Sequence, residues 1–156
     1  MKKRYAFLFA LMAFTLFIFL RSLKNAEDST NESRWIVDFV MAIVEKFIKL
    51  EPQTLNDIVT IVVRKLAHIA EYTVHALIMC GLFSTFPGHI RKNIPCIMFV
   101  GLFTACTDEA IQLASVGRAG MIEDVFVDFA GTLLGIAISL ALVYLWGKIK
   151  KLNIVS

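Results

Sequence analysis

Four apolar stretches, residues 5–20, 66–86, 95–115 and 125–146, are separated in this chain by charge that is sorted by sign. Three short basic segments contain no acid: Lys2-Lys3-Arg4, Arg91-Lys92 and Lys148-Ile149-Lys150-Lys151. All 13 Asp and Glu fall in the stretches 21–65 and 116–124 or in the helix ends beside them. An apolar segment inside a bilayer must satisfy its backbone N–H and C=O groups without water, which a helix does within one segment. Short loops rich in Lys and Arg stay cytoplasmic. The pattern predicts an all-α, multispan transmembrane helical bundle with spans near 5–23, 64–86, 95–115 and 124–146. Both termini are expected to be cytoplasmic, in a multi-pass protein of the cell membrane whose acidic chemistry faces outward.

Composition agrees with that class. Apolar residues make up 58% of the chain, mean hydropathy is +0.71, and the 13 Phe exceed what a soluble domain of this size carries. The net charge of +3 is spread over the three basic clusters. It therefore predicts membrane lipids as partners and no nucleic acid. Cys80, Cys96 and Cys106 lie inside apolar spans and read as small core hydrophobes, with neither disulfide nor paired metal spacing.

Residues 1–20 have the basic start and apolar middle of a secretory signal, but Leu20-Arg21-Ser22-Leu23-Lys24-Asn25 lacks a small-x-small cleavage pattern. An uncleaved anchor is expected; its apolar run reaches only about 24 Å at 1.5 Å per residue, so flanking Lys and Arg would snorkel. Residues 21–33 read as a polar external linker. Arg34–Leu50 is amphipathic, with Trp35, Ile36, Phe39, Val40, Ile43, Val44 and Phe47 on one side. This external amphipathic helix near 34–50 either lies on the membrane or covers the bundle, and Glu51-Pro52 should end it. The second span should extend outward as far as Thr54–Asp57. Ser84–Ile94 reads as a cytoplasmic turn holding His89, and Pro95 suits the first turn of the third span. No internal repeat is present, so residues 1–156 are expected to form a single membrane domain.

Three polar sets interrupt the spans. On the second, Arg64, His68, Glu71 and His75 fall at i, i+4, i+7 and i+11, with Lys65 and Tyr72 adjoining. On the third, Asp108 and Glu109 lie within one turn of Gln112. On the fourth, Asp124 and Asp128 are i, i+4, continued by Gly131 and Gly135, while Arg118 stands in the loop before them. With alternating span direction, all three sets reach one depth near the outer surface. Ionised side chains in hydrocarbon cost several kcal/mol and usually mark function. His75 reads as a core histidine, Glu123 as a loop or cap residue, and the glycine pair as a close helix contact.

The run Arg64-Lys65-Leu66-Ala67-His68-Ile69-Ala70-Glu71-Tyr72 resembles the RK-x-x-H-x-x-EY signature of VanZ-like membrane proteins. Asp108-Glu109-x-x-Gln112, Gly117-Arg118, Asp124 and Gly131-x-x-x-Gly135 resemble the second signature of that family. The likeness covers roughly residues 60–136. The chain departs from the pattern at Val116, often Pro, and at Asp128, often Asn, which makes the site more acidic. The resemblance implies a small bacterial envelope protein; the namesake is linked to teicoplanin tolerance in Gram-positive bacteria.

Three functions fit. In the first, Arg64, Lys65 and Arg118 hold a phosphate or carboxylate of an envelope lipid or lipophilic glycopeptide at the outer leaflet, with teicoplanin-type tolerance as the consequence. His68, Glu71, Tyr72, Asp108, Glu109, Gln112, Asp124 and Asp128 complete that polar site. In the second, the same residues make an intramembrane enzyme acting on a lipid or polyprenyl-phosphate, with a divalent metal. No H-E-x-x-H or similar spacing is present, so the primary expectation is no metal and no cofactor. A proton relay or transporter is the third, disfavoured by the lack of repeats and of an inner relay. Binding as against catalysis, and homo-oligomerisation, remain open at this stage.

Overall fold

The computed structural model describes residues 2–24, 26–87, 90–115 and 121–155. Its elements, in order, are α1 (Lys2–Ser22), α2 (Ala26–Val44), α3 (Pro52–Phe83), a 3-10 turn (Ile90–Asn93), α4 (Ile94–Leu113) and α5 (Ile122–Val155). No strand occurs among the described residues. Four helices, α1, α3, α4 with its preceding turn, and α5, are long and apolar enough to cross a membrane. Their surfaces carry large apolar side chains that point away from the bundle, such as Phe9, Met12, Leu16, Phe99, Phe103 and Phe126, the exposure expected where lipid is the solvent. The chain is a multi-pass membrane protein.

α3 is the central element. It packs most extensively on α5, and also on α1, α2 and α4. The α3–α5 contact is close because Gly131 and Gly135 face α3 where it has no room for side chains. A Cβ on Gly131 would stand 2.6 Å from the Ile69 carbonyl oxygen, and one on Gly135 would stand 2.5 Å from that of Thr73. The Thr73 hydroxyl uses this proximity, donating to Ile69 O at 2.7 Å and to Gly131 O at 3.1 Å. Small residues at i, i+4 serve in this way wherever apolar helices must approach without a hydrophobic driving force.

At one end of the bundle the interior is dry: Ala76, Met79 and Cys80 of α3 meet Ile97 of α4 and Ile136 of α5. The basic starts and ends of the helices gather here. Arg4 Nη2 donates to Thr85 O at 3.0 Å, and its guanidinium lies 4.0 Å from the centroid of Phe86. At the other end the interior is polar.

Three sequence expectations change. Residues 21–33, read as a polar external linker, are largely helical: α1 runs to Ser22 and α2 begins at Ala26. The amphipathic helix does not reach Leu50. It stops at Val44, whose carbonyl accepts from Phe47 N and Ile48 N, both at 2.9 Å, and Pro52 starts α3 instead of closing α2. The early stop lets the chain reverse, so that Val37, with Ile36, Val40, Met41 and Val44, packs on Leu55, Val59 and Val63. The expected apolar stripe is thereby divided, and Trp35, Phe39 and Ile43 remain exposed. Finally, of the three cysteines only Cys80 is in the core; Cys96 and Cys106 are exposed.

At 32 residues α3 spans about 48 Å, well beyond a hydrocarbon core of about 30 Å. Its first turns, where α2 packs, are the excess.

Candidate functional site

The polar end is built from the C-terminal turn of α1, the middle of α3, the last turns of α4 and the first turns of α5. Each helix brings its polar residues there because alternating direction puts the end of α4 beside the start of α5. The floor is fully enclosed. Tyr72, Gln112 and Asp128 are 0% exposed and Asp108 is 1% exposed. Glu109 and Asp124 are also buried.

His68 Nδ1 and Asp128 Oδ1 are 3.0 Å apart, joining α3 to α5. Gln112 links α3 to α4: its Oε1 accepts from Arg64 Nη2 at 3.3 Å while its Nε2 donates to Asp108 Oδ2 at 3.2 Å. The other oxygen of Asp108 accepts from the Ser22 hydroxyl of α1. Glu109 Oε2 accepts from the backbone N–H of Met121 at 3.0 Å, which ties the end of α4 to the start of α5. Arg64 and Lys65 stand 3.9 and 4.0 Å from the two oxygens of Asp124, with their side chains about two-fifths exposed. Polar groups buried at low dielectric have to be paired in this way or they destabilise the fold.

Pairing is incomplete. Asp128 Oδ2, Glu109 Oε1 and the Tyr72 hydroxyl are buried without a hydrogen-bond partner. Donor atoms of His68, Asp108 and Asp128 all lie within 4.8 Å of one another, the spacing of a set that can surround one cation. Beside this enclosed set, and sharing His68 and Asp124 with it, a cleft of about 270 Å³ opens between α3 and α5, lined by Ile61, Arg64, Lys65, His68, Met121, Glu123, Asp124 and Val127. It combines a cationic rim, the acids Glu123 and Asp124 and apolar walls, a set suited to an amphiphile with an anionic head.

Of the residues expected from the sequence, Arg64, Lys65, His68, Tyr72, Asp108, Glu109, Gln112, Asp124 and Asp128 come together here. Glu71 is placed differently. Instead of joining His68 it turns toward α1 and pairs with Arg21. A stripe at i, i+4, i+7 is wide enough that its edges meet different neighbours. Arg118 and Gly117 lie outside the described residues. Glu123, read as a loop or cap residue, is in the first turn of α5 and lines the cleft. His75 is buried one turn further along; its Nε2 is 2.9 Å from Thr15 Oγ1 and its Nδ1 has no partner, so it is only half satisfied.

Arg21 and Ser22 were not singled out by the sequence. Arg21 carried a signal, being a cation directly after an apolar span at the end where the carboxylates gather. Ser22 carried none, and its role follows from its position against α4, where Ser115 Oγ also donates to Ser22 O at 2.9 Å.

A model of the family described as VanZ/LLP1 matches residues 7–144. No curated protein matches the chain, and no solved structure does.

Proposed function

From the premise that this chain belongs to the VanZ/LLP1 family, we propose that its cleft between α3 and α5 receives the anionic head of an envelope lipid or lipophilic glycopeptide at the outer leaflet. The observation that carries this reading is the half-exposed pair Arg64 and Lys65 on the rim of a cleft whose walls, Ile61, Met121 and Val127, are apolar. A guanidinium beside an ammonium binds a phosphate or carboxylate by charge and by fork geometry. The apolar walls admit an acyl or prenyl chain from the side, between α3 and α5.

The outward orientation rests on the basic clusters. Lys2-Lys3-Arg4, Arg91-Lys92 and Lys148–Lys151 belong to the start of α1, the α3–α4 connection and the end of α5, the end of the bundle away from the cleft. The positive-inside rule assigns that end, and both termini, to the cytoplasm. Teicoplanin-type tolerance follows if the bound amphiphile is the drug or its envelope target. The chain acts in this reading as a binding protein.

The test is teicoplanin and vancomycin susceptibility in a sensitive Gram-positive host, with wild type and Arg64→Gln at matched membrane levels. Wild type should raise the teicoplanin inhibitory concentration severalfold and leave vancomycin unchanged, and the variant should lose most of that rise. Equal tolerance from both proteins, or none from wild type, would remove the glycopeptide role.

A further inference from the structure

We infer that His68, Asp108 and Asp128 form a buried site for a divalent transition-metal cation beside the cleft, which His68 also lines. The three donors come from α3, α4 and α5, one from each, and all lie within 4.8 Å of one another. Around one ion with bonds of about 2.0–2.2 Å, neighbouring donors stand about 3–3.5 Å apart. The 3.0 Å between His68 Nδ1 and Asp128 Oδ1 is already that edge.

A plain His–Asp hydrogen bond is the simpler account of the same distance. It leaves Asp128 Oδ2 without a partner in a side chain that is 0% exposed. It also leaves donor oxygens of Asp108 and Asp128 within 4.8 Å of each other, where two ionised carboxylates repel. In a low-dielectric interior an orphaned carboxylate oxygen costs a few kcal/mol, which a shared cation offsets. The Tyr72 hydroxyl is another buried orphan. Tyr72 packs with Ala105, three residues before Asp108, and against Gly131, three residues after Asp128, between the two helices that supply the carboxylates.

The surroundings are those of a ligand shell. Asp108 is oriented from two sides, by Ser22 and by Gln112, and Gln112 is held in turn by Arg64. Such outer hydrogen bonds fix carboxylate ligands and tune the ion. The donor set decides the ion's class. One imidazole with two carboxylates is poor for Mg²⁺ or Ca²⁺, which take oxygen alone, and suits Zn²⁺ or Mn²⁺. Three protein ligands leave a coordination position for water or a ligand group. If the anionic-head reading of the cleft holds, an ion here and the Arg64–Lys65 rim would grip the same head from two sides. The sequence predicts no metal because ligands drawn singly from three helices produce no local spacing motif.

The experiment uses the full chain in detergent or nanodiscs, with no lipid ligand or glycopeptide added. Protein stripped with chelator is dialysed against Zn²⁺ or Mn²⁺, desalted, and assayed for metal by mass spectrometry. Wild type should retain about one ion per chain, and Asp128→Asn and His68→Gln at least about tenfold less, as expected on losing one of three ligands. Met79→Ala, in the dry core, should retain the ion. The melting temperature of stripped wild type should rise on adding the metal, a readout that needs no variant to fold. Wild type without bound metal, or Asp128→Asn and His68→Gln binding as wild type does, overturns the inference. The drug-susceptibility difference between wild type and Arg64→Gln is read separately, so either idea can fail alone.

Discussion

The two ends of the bundle use the same helices to opposite effect. At one end α3, α4 and α5 meet through Ala76, Met79, Ile97 and Ile136, and the basic residues stand outside on the ends of the helices. At the other, two turns away on α3, they meet through His68, Asp108, Gln112 and Asp128, none more than one-fifth exposed. In lipid the interior of the first end is held by packing, because tails are as apolar as the side chains. The second incurs desolvation of several polar groups, only partly repaid by hydrogen bonds. A bundle that needed only to fold would make both ends alike. The contrast is between an end stabilised by apolar packing and an end whose buried polar groups fit the binding role proposed above.

Gly131→Leu should have the largest effect, because it strikes the contact both ends share. Its side chain would meet Ile69 O and Tyr72 Cβ at distances no real Cβ shows. The variant should yield no folded monodisperse protein in size-exclusion chromatography; a folded Gly131→Leu protein would mean that the α3–α5 approach is not what joins the two ends. Met79→Ala comes next. Met79 is 0% exposed in the dry core, and its truncation should cost about 2–5 kcal/mol in chemical denaturation. It should leave metal stoichiometry and teicoplanin response as in wild type, and loss of either would break the separation between the ends.

The smallest change is expected from Arg21→Gln. The Arg21–Glu71 pair belongs to the polar end, but Arg21 is one-third exposed, so the loss should be near 1 kcal/mol after allowance for solvent. A melting shift as large as that of Met79→Ala would show that the polar end also carries the fold.

Much of this was readable in one dimension. A helix that crosses a bilayer must be apolar for about 20 residues, so the spans announce themselves in hydropathy. Charge at a span end has one of two depths, so Arg64, His68, Asp108 and Asp128 could be assigned to a common end before any contact was known. What sequence could not supply is rotation about each helix axis. His68 and Glu71 are three residues apart, yet one faces Asp128 of α5 and the other Arg21 of α1. The same limit hid the division of α2, where Val37 and its neighbours pack on α3 while Trp35 and Phe39 do not. It also hid Ser22, which gains a polar role only by standing against Asp108.

By itself, then, the amino-acid sequence determined the class, the number of spanning helices and the end of the bundle to which each charged group belongs. These depend on length, hydropathy and the cost of charge in lipid, all local properties of the chain. The tertiary structure decided which groups touch: the His68–Asp128 contact, the donor set completed by Asp108, and the pairing of Glu71 away from the cleft. The first depends on how closely Gly131 and Gly135 let α5 approach α3, and the others on how α1 and α4 are turned against the same helix.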